Sequence, residues 1–190
     1  MEIIRILFLG LLVLFEAVLL FFGTFIFISG FISKTKGAPY VPLPKKSLKG
    51  VLTFAGLKEG GIFFDLGSGD GRILIESVRE FGISKGVGYE VSPWPYLKSI
   101  FLLRFKKLKE KISIYKKDFL KADLTQAENI FIYLYPKIVQ KSASKFKEEL
   151  SPGSKIISVS FPIAEPEKFN LRLIKSGGVD RFNVFVYQKI

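Results

Sequence analysis

FFDLGSGDGR, residues 63–72, decides how this chain folds. A short apolar run ends in Asp65, and glycines follow at alternate positions, Gly67, Gly69 and Gly71. Beyond Arg72, Leu74, Val78 and Phe81 recur at helical spacing. A buried strand that breaks into a glycine turn and then a helix is the opening unit of an alternating strand–helix fold. The alternation continues. KGVGYE, ISIYKKD, NIFIYLY and KIISVSF read as further strands. The segment SPWPYLKSIFLLRFKKLKEK between the second and third strands reads as a helix, with Ser92 as N-cap and Pro93 in the first position. Its apolar face is expected to be Leu97, Ile100, Phe101, Phe105 and Leu108, with a basic edge of Arg104, Lys106, Lys107 and Lys109. Val139, Ala143, Phe146 and Leu150 mark another helix, and LRLIKSG and FNVFVYQKI have no helix between them, so they are expected to form an antiparallel hairpin at the sheet edge. The expected fold class is α/β: a seven-stranded, mostly parallel sheet with helices on both faces.

In such a sheet a ligand sits beyond the carboxyl ends of the strands, at the first strand–helix turn. A phosphate loop needs a lysine and then a hydroxyl after its glycines, and this chain has Arg72-Ile73. A dinucleotide loop needs a third glycine where Arg72 stands, and its pyrophosphate would be repelled by Asp65 and Asp70. S-adenosyl-L-methionine carries an ammonium and a sulfonium and no phosphate, so an acid at Asp65 favours it. The loop Gly67, Ser68, Gly69 and Gly71 lets backbone approach a ligand closely, and the following helix N-terminus offers N–H groups to the ligand's carboxylate. Glu90 ends the second strand, where an acid accepts from both ribose hydroxyls, a feature shared with NAD sites. Asp118 follows the third strand, placed for an adenine amino group with Phe119 beside the ring; a helix cap is its other reading.

The chain has 190 residues, no cysteine and no histidine. That excludes disulfides, thiolate zinc sites, a cysteine nucleophile and the commonest general base, and no metal site is expected. No residue is assigned as catalytic. The net charge of +12 suits a polyanion, either nucleic acid or an anionic membrane face, or else a merely solvated lysine-rich surface. Hydrophobic residues make up 48% of the chain. Part of that excess is ILFLGLLVLFEAVLLFFGTFIFISGFI, residues 6–32, whose one charge is Glu16. A helix of that length is about 40 Å long against a bilayer core of about 30 Å, and the run is too long for a signal peptide. Residues 1–33 therefore read as a transmembrane anchor. Glu16 is either a helix–helix contact or an acid tolerated in protonated form. Lys34, Lys36, Lys45, Lys46 and Lys49 flank the C-terminal end against Arg5 at the other, which puts the remaining chain on the cytoplasmic side. Residues 34–50, rich in Pro and Gly, read as a linker or pre-domain segment, and 51–190 as the domain.

DLGSGDGR followed by GVGYEVSPW resembles the Rossmann-like, seven-strand class I methyltransferases. Together with PYVPLP, KKDF, ELSPGSKIIS and SFP, these pieces resemble more narrowly the protein-lysine methyltransferases. That group includes the mitochondrial enzymes for the adenine nucleotide translocase and the ATP synthase c-subunit, and the broad-specificity archaeal enzyme. The resemblance covers about residues 39–162. It implies S-adenosyl-L-methionine as cofactor, held by Asp65, Gly67, Gly69, Glu90 and Asp118, a protein substrate, and a place near the substrate entrance for Tyr40–Pro42. The fourth strand ends in YLYP, unlike the motif of DNA adenine methyltransferases. Tyr40, Tyr133 and Tyr135 are candidates to accept a hydrogen bond from the target amine, with sheet packing the other reading of Tyr133 and Tyr135. Two other functions stay open: an RNA methyltransferase, and a non-catalytic S-adenosylmethionine-binding module.

Overall fold

The computed structural model describes residues 1–36 and 40–190. Helix α1, Glu2–Lys36, is one continuous rod with no charge between Arg5 and Lys34 except Glu16. Among the described residues it alone is long and apolar enough to cross a membrane. Then follow α2 (Lys45–Phe54), β1 (Ile62–Leu66), α3 (Arg72–Glu80), β2 (Lys85–Tyr89), α4 (Pro93–Phe105) and β3 (Ile112–Tyr115). The chain continues through β4 (Asn129–Ile132), α5 (Pro136–Glu149), β5 (Lys155–Val159), β6 (Leu171–Val179) and β7 (Phe182–Lys189).

Among the described residues seven strands form one sheet, ordered β3-β2-β1-β4-β5-β7-β6. The first five are parallel; β7 runs antiparallel to β5 and pairs β6 as the expected edge hairpin. Side chains alternate across the strands, so β1 and β4 fill two cores at once. Phe63 and Phe131 join α2, α3 and Leu103 of α4 on one face, whereas Phe64, Leu66, Ile130 and Ile132 join α5 on the other. Asp65, two residues from Phe63, points to the α3 face. Val139, Ala143, Phe146 and Leu150 of α5 are all buried, as their spacing implies.

Three local expectations are corrected. The proline- and glycine-rich segment 34–50 is not all linker: α1 runs to Lys36, and 45–50 form the first turns of α2, with Leu43 and Leu48 inside the core. Residues 37–39 of that segment, including Pro39 of PYVPLP, lie outside the described residues. Pro44 sits at the α2 N-cap, where its missing N–H is harmless. Second, Leu97, Phe101 and Phe105 of α4 do not face the core but are exposed. The helix is apolar nearly all round, and its small Pro95 and Ser99 with Leu103 make the close contact instead. Third, Ser92 begins α4 without a side-chain cap; its N–H donates to Glu90 and its hydroxyl has no partner among the described residues.

If 45–50 belong to the folded unit, Leu48→Ala removes a fully enclosed side chain and should destabilise the protein by about 2–5 kcal/mol. Urea unfolding of the detergent-solubilised chain measures this, and a loss near zero would mean that the segment is a tether.

Candidate active site

The strand order reverses between β1 and β4, since β1 leads outward to β2 and β3 while β4 leads to β5 and β7. The connections diverge there and open a crevice at the carboxyl ends. A cavity of about 250 Å³ occupies it. Its wall takes Asp65 and the loop residues Gly67, Ser68, Gly69 and Asp70 from the β1 end, and Glu90 from the β2 end. Asp118 and Phe119 follow β3; Tyr133 and Tyr135 follow β4; Ser33 of α1 and Tyr40 close the near side. The cofactor and substrate candidates read from the sequence thus meet in one cavity, apart from Gly71. That glycine caps α3 behind the wall in a left-handed conformation (φ 76°), where a Cβ would meet Ile114 at 2.8 Å.

The glycine loop is held from inside the protein. Gly67 and Ser68 N–H both donate to the Tyr89 carbonyl (3.0 and 2.9 Å), and Gly71 N–H donates to the Ser68 carbonyl (2.8 Å). Glu90 closes the loop, accepting from Gly69 N–H at 2.9 Å through one oxygen and from Ser92 N–H at 2.7 Å through the other. These four loop amides are therefore spent within the protein. Each carboxylate oxygen of Glu90 retains a lone pair, and both amide bonds fix its orientation. Gly69 needs to be glycine twice over: its φ is 55°, and a Cβ would lie 2.7 Å from the Tyr40 ring that covers it. Asp118 accepts from Leu120 N–H at 3.0 Å and so caps a 3₁₀ turn while lining the cavity. Phe119 is buried; Tyr133 packs edge-on against Phe182, and the hydroxyls of Tyr133 and Tyr135 are engaged by no described residue.

Three acids converge here and are treated differently. Burial alone would raise the Asp70 pKa, but Arg72 and Lys98 overrule it and hold the carboxyl well below the usual range. Arg72 donates through Nε at 2.8 Å and Nη2 at 2.7 Å, and Lys98 Nζ stands 3.0 Å away. The same Arg72 reaches the Leu43 carbonyl at 3.0 Å, and Lys98 reaches the Tyr40 hydroxyl at 3.4 Å. This cluster, which pins residues 40–43 over the loop, was missed in the sequence because its members are far apart; only the Asp70-x-Arg72 spacing hinted at it. Glu90 is satisfied by amides. Asp65 is left over: it is buried, and its Oδ2 has no partner among the described residues. Burial, then the nearby charges of Glu90 and Asp70, push its pKa well up. The cavity therefore has one carboxylate waiting for a cation.

Residues 65–168 match the family model of the ANTKMT methyltransferase domain. This chain belongs to that methyltransferase family. It is 30% identical over 125 residues to a protein-lysine N-methyltransferase of Saccharolobus islandicus, an alignment covering 66% of this chain and 78% of that protein. It is 31% identical over 129 residues to the adenine nucleotide translocase lysine N-methyltransferase of Mus musculus, covering 66% of this chain but only 54% of that protein. Among solved structures, an RNA methyltransferase from Salinibacter ruber in complex with S-adenosyl-L-homocysteine superposes with a TM-score of 0.71 at 28% identity, covering 78% of this chain and 93% of that one.

S-adenosyl-L-methionine is the cofactor these likenesses point to, and the donor set fits it. An orphaned buried carboxylate suits its ammonium, a pre-oriented Glu90 suits vicinal hydroxyls, and Arg72 and Lys98, the cations beside the loop, are bound to Asp70. The orphan has a pH signature in the ligand-free protein. Because the folded chain keeps the Asp65 proton where an unfolded one, titrating near 3.8, has lost it, stability falls as pH rises from there through the folded pKa. Asp65→Asn should flatten that fall and leave the variant more stable than wild type above the window. Thermal unfolding across a pH series checks this; parallel curves would mean that Asp65 is not perturbed.

Proposed function

We propose that this chain is a membrane-anchored, S-adenosyl-L-methionine-dependent protein-lysine methyltransferase. The observation that carries it is the unpartnered Asp65 carboxylate beneath the glycine loop, in a family whose relatives named above include two lysine methyltransferases. The alignment spans about half of the Mus musculus protein, so substrate and partners are inferences from this site. Asp65 accepts from the cofactor's ammonium, Glu90 from its ribose hydroxyls, Asp118 with Phe119 takes the adenine, and Gly67, Ser68, Gly69 and Gly71 give the loop its shape. When bound, the cofactor supplies an electrophilic methyl group on a sulfonium. The chain's task is then alignment, which requires no histidine.

A lysine nucleophile must be neutral, and at a pKa near 10.4 that costs about 4–5 kcal/mol at neutral pH. The apolar part of the cavity lining, Val41, Pro42, Leu134 and Phe161 with the rings of Tyr40, Tyr133 and Tyr135, lowers the cost by desolvating the amine. Tyr40 is committed to Asp70 and Lys98 and serves mainly as cover for Gly69. Tyr133 and Tyr135 keep their hydroxyls for the target Nζ, accepting one of its N–H bonds and aiming its lone pair. Residues 1–33 anchor the chain in a single pass, with 51–190 and the packed α2 segment on the cytoplasmic side, near lysines of membrane proteins. The anchor raises the local target concentration and so offsets the repulsion between a basic domain and a basic target.

A second reading, RNA methylation, is favoured by the net charge and by the Salinibacter ruber likeness. Labelled methyl transfer from S-adenosyl-L-methionine into host membranes separates the two. Label in a protein band that survives ribonuclease, is lost with Asp65→Ala, and resides on lysine supports the proposal; label destroyed by ribonuclease overturns it. With the labelled protein as substrate, Tyr133→Phe or Tyr135→Phe should lower kcat about tenfold, the worth of one hydrogen bond of about 1.5 kcal/mol, without changing cofactor affinity.

A further inference from the structure

Helix α4 carries an apolar stripe that is left exposed among the described residues. Trp94, Leu97, Phe101 and Phe105 fall at i, i+3, i+7 and i+11, on one side of the helix, and are 40%, 51%, 66% and 77% exposed. The stripe is about 16 Å long. Phe101 and Phe105 stack on each other with 6.4 Å between ring centroids, so their apolar surface is continuous. Exposed Arg104, Lys107 and Lys109 border its far end. Core packing does not require these side chains, because α4 meets the sheet through Pro95, Ser99 and Leu103 on its opposite side. Large contiguous apolar surface rimmed by charge is rare on a protein that meets only water.

What covers the stripe follows from the helix beside it. The last turns of α1 meet the start of α4, where Trp94 N–H donates to Ser29 Oγ at 3.0 Å. Ser29 and Ser33 are buried, and Phe25 and Ile32 are half-buried on the same side of α1. The other sides of these turns remain strongly apolar: Ile26, Phe27, Ile28 and Phe31 are 50%, 75%, 49% and 62% exposed. No charge interrupts α1 after Glu16 until Lys34. If α1 spans a bilayer, the lipid must reach Phe27 and Phe31 to cover them. The start of α4, hydrogen-bonded to Ser29, then stands at the same depth. Trp, Leu and Phe on one side with Arg and Lys at the edge is the composition of a helix lying in a lipid interface. The basic rim adds attraction toward anionic headgroups.

We propose that the α4 stripe lies in the interface of an anionic lipid bilayer. This holds the cavity, whose wall includes Ser33 of α1, within reach of lysines at the membrane surface. The inference rests on the anchor reading of α1 and deepens it: the domain is not suspended on a tether but seated, with α4 as its second contact.

Trp94 is the chain's single tryptophan and stands at the head of the stripe, so its fluorescence reports the contact directly. The full chain is reconstituted into phosphatidylcholine–phosphatidylglycerol vesicles whose acyl chains are brominated near the glycerol end. Trp94 is expected to emit at short wavelength, to lose most of its intensity to the bromolipid, and to resist aqueous iodide. The double variant Phe101→Glu/Phe105→Glu, which alters only exposed positions, should restore emission in brominated vesicles and admit iodide. Carbonate extraction of the same vesicles separates the two readings. Protein retained in the vesicles with Trp94 open to iodide and blind to bromolipid overturns the α4 contact while the anchor stands; protein released by carbonate overturns both. Trp94 shielded from iodide and bromolipid alike would mean that protein, either a second copy or a target, covers the stripe, and that too overturns the proposal.

Discussion

A buried carboxylate without a counter-charge is the constraint around which this molecule is arranged. β1 delivers Asp65 to the crevice and encloses it, at the floor of a cavity already holding Glu90 and Asp70. Burying a charge unpaired is strongly unfavourable, so a protein either supplies a partner or holds a proton. Here the fold supplies partners for the other two acids: a guanidinium and an ammonium for Asp70, and two backbone amides for Glu90. Asp65 receives none, although Arg72 stands seven residues along and is turned instead to Asp70 and Leu43. Left without a partner among the described residues, Asp65 holds its proton, and a cation placed beside it would favour the charged form that burial disfavours.

The same contacts that pair Asp70 join the N-terminal segment to the site. Arg72 grips the Leu43 carbonyl, Tyr40 covers Gly69, and Ser29 of α1 meets the first turn of α4. The packing of α1 against α4 and the shape of the glycine loop are therefore set by residues close together in the N-terminal part of the chain. Leu43 and Leu48 are as deeply packed as the strand residues they touch, which makes residues 43–54 a structural part of the catalytic fold.

What the sequence made legible was local. The strand, glycine turn and helix around Asp65 lie within a short window, and the acid after each of the next strands is read by counting from it. The sheet and the core face of α5 follow from strand–helix alternation and periodicity, and the edge hairpin from the missing helix between the last two strands. Features built from distant residues were hidden. Tyr40, Asp70, Arg72 and Lys98 meet only after the sheet has formed, and an acid flanking a glycine loop looks the same in sequence whether it is paired or free. Periodicity also failed on α4, which is apolar on two sides: the residues with the largest side chains were assigned to the core, whereas close approach to the sheet required the small Pro95 and Ser99. In α2, LTFAGL reads as the end of a helix, but prolines and glycines nearby masked its first turns, whose Leu48 and Val51 are fully buried.

Proton release on ligand binding tests the Asp65 account most directly. S-adenosyl-L-homocysteine, which has the ammonium but not the sulfonium, is titrated calorimetrically at mildly acidic pH in buffers of different ionisation enthalpy. If the ammonium meets a carboxyl held protonated by burial, binding expels that proton, and Asp65→Asn binds weakly with no release. Tight binding without proton release, or undiminished binding to Asp65→Asn, would contradict the assignment of the buried carboxylate to the ligand's cation.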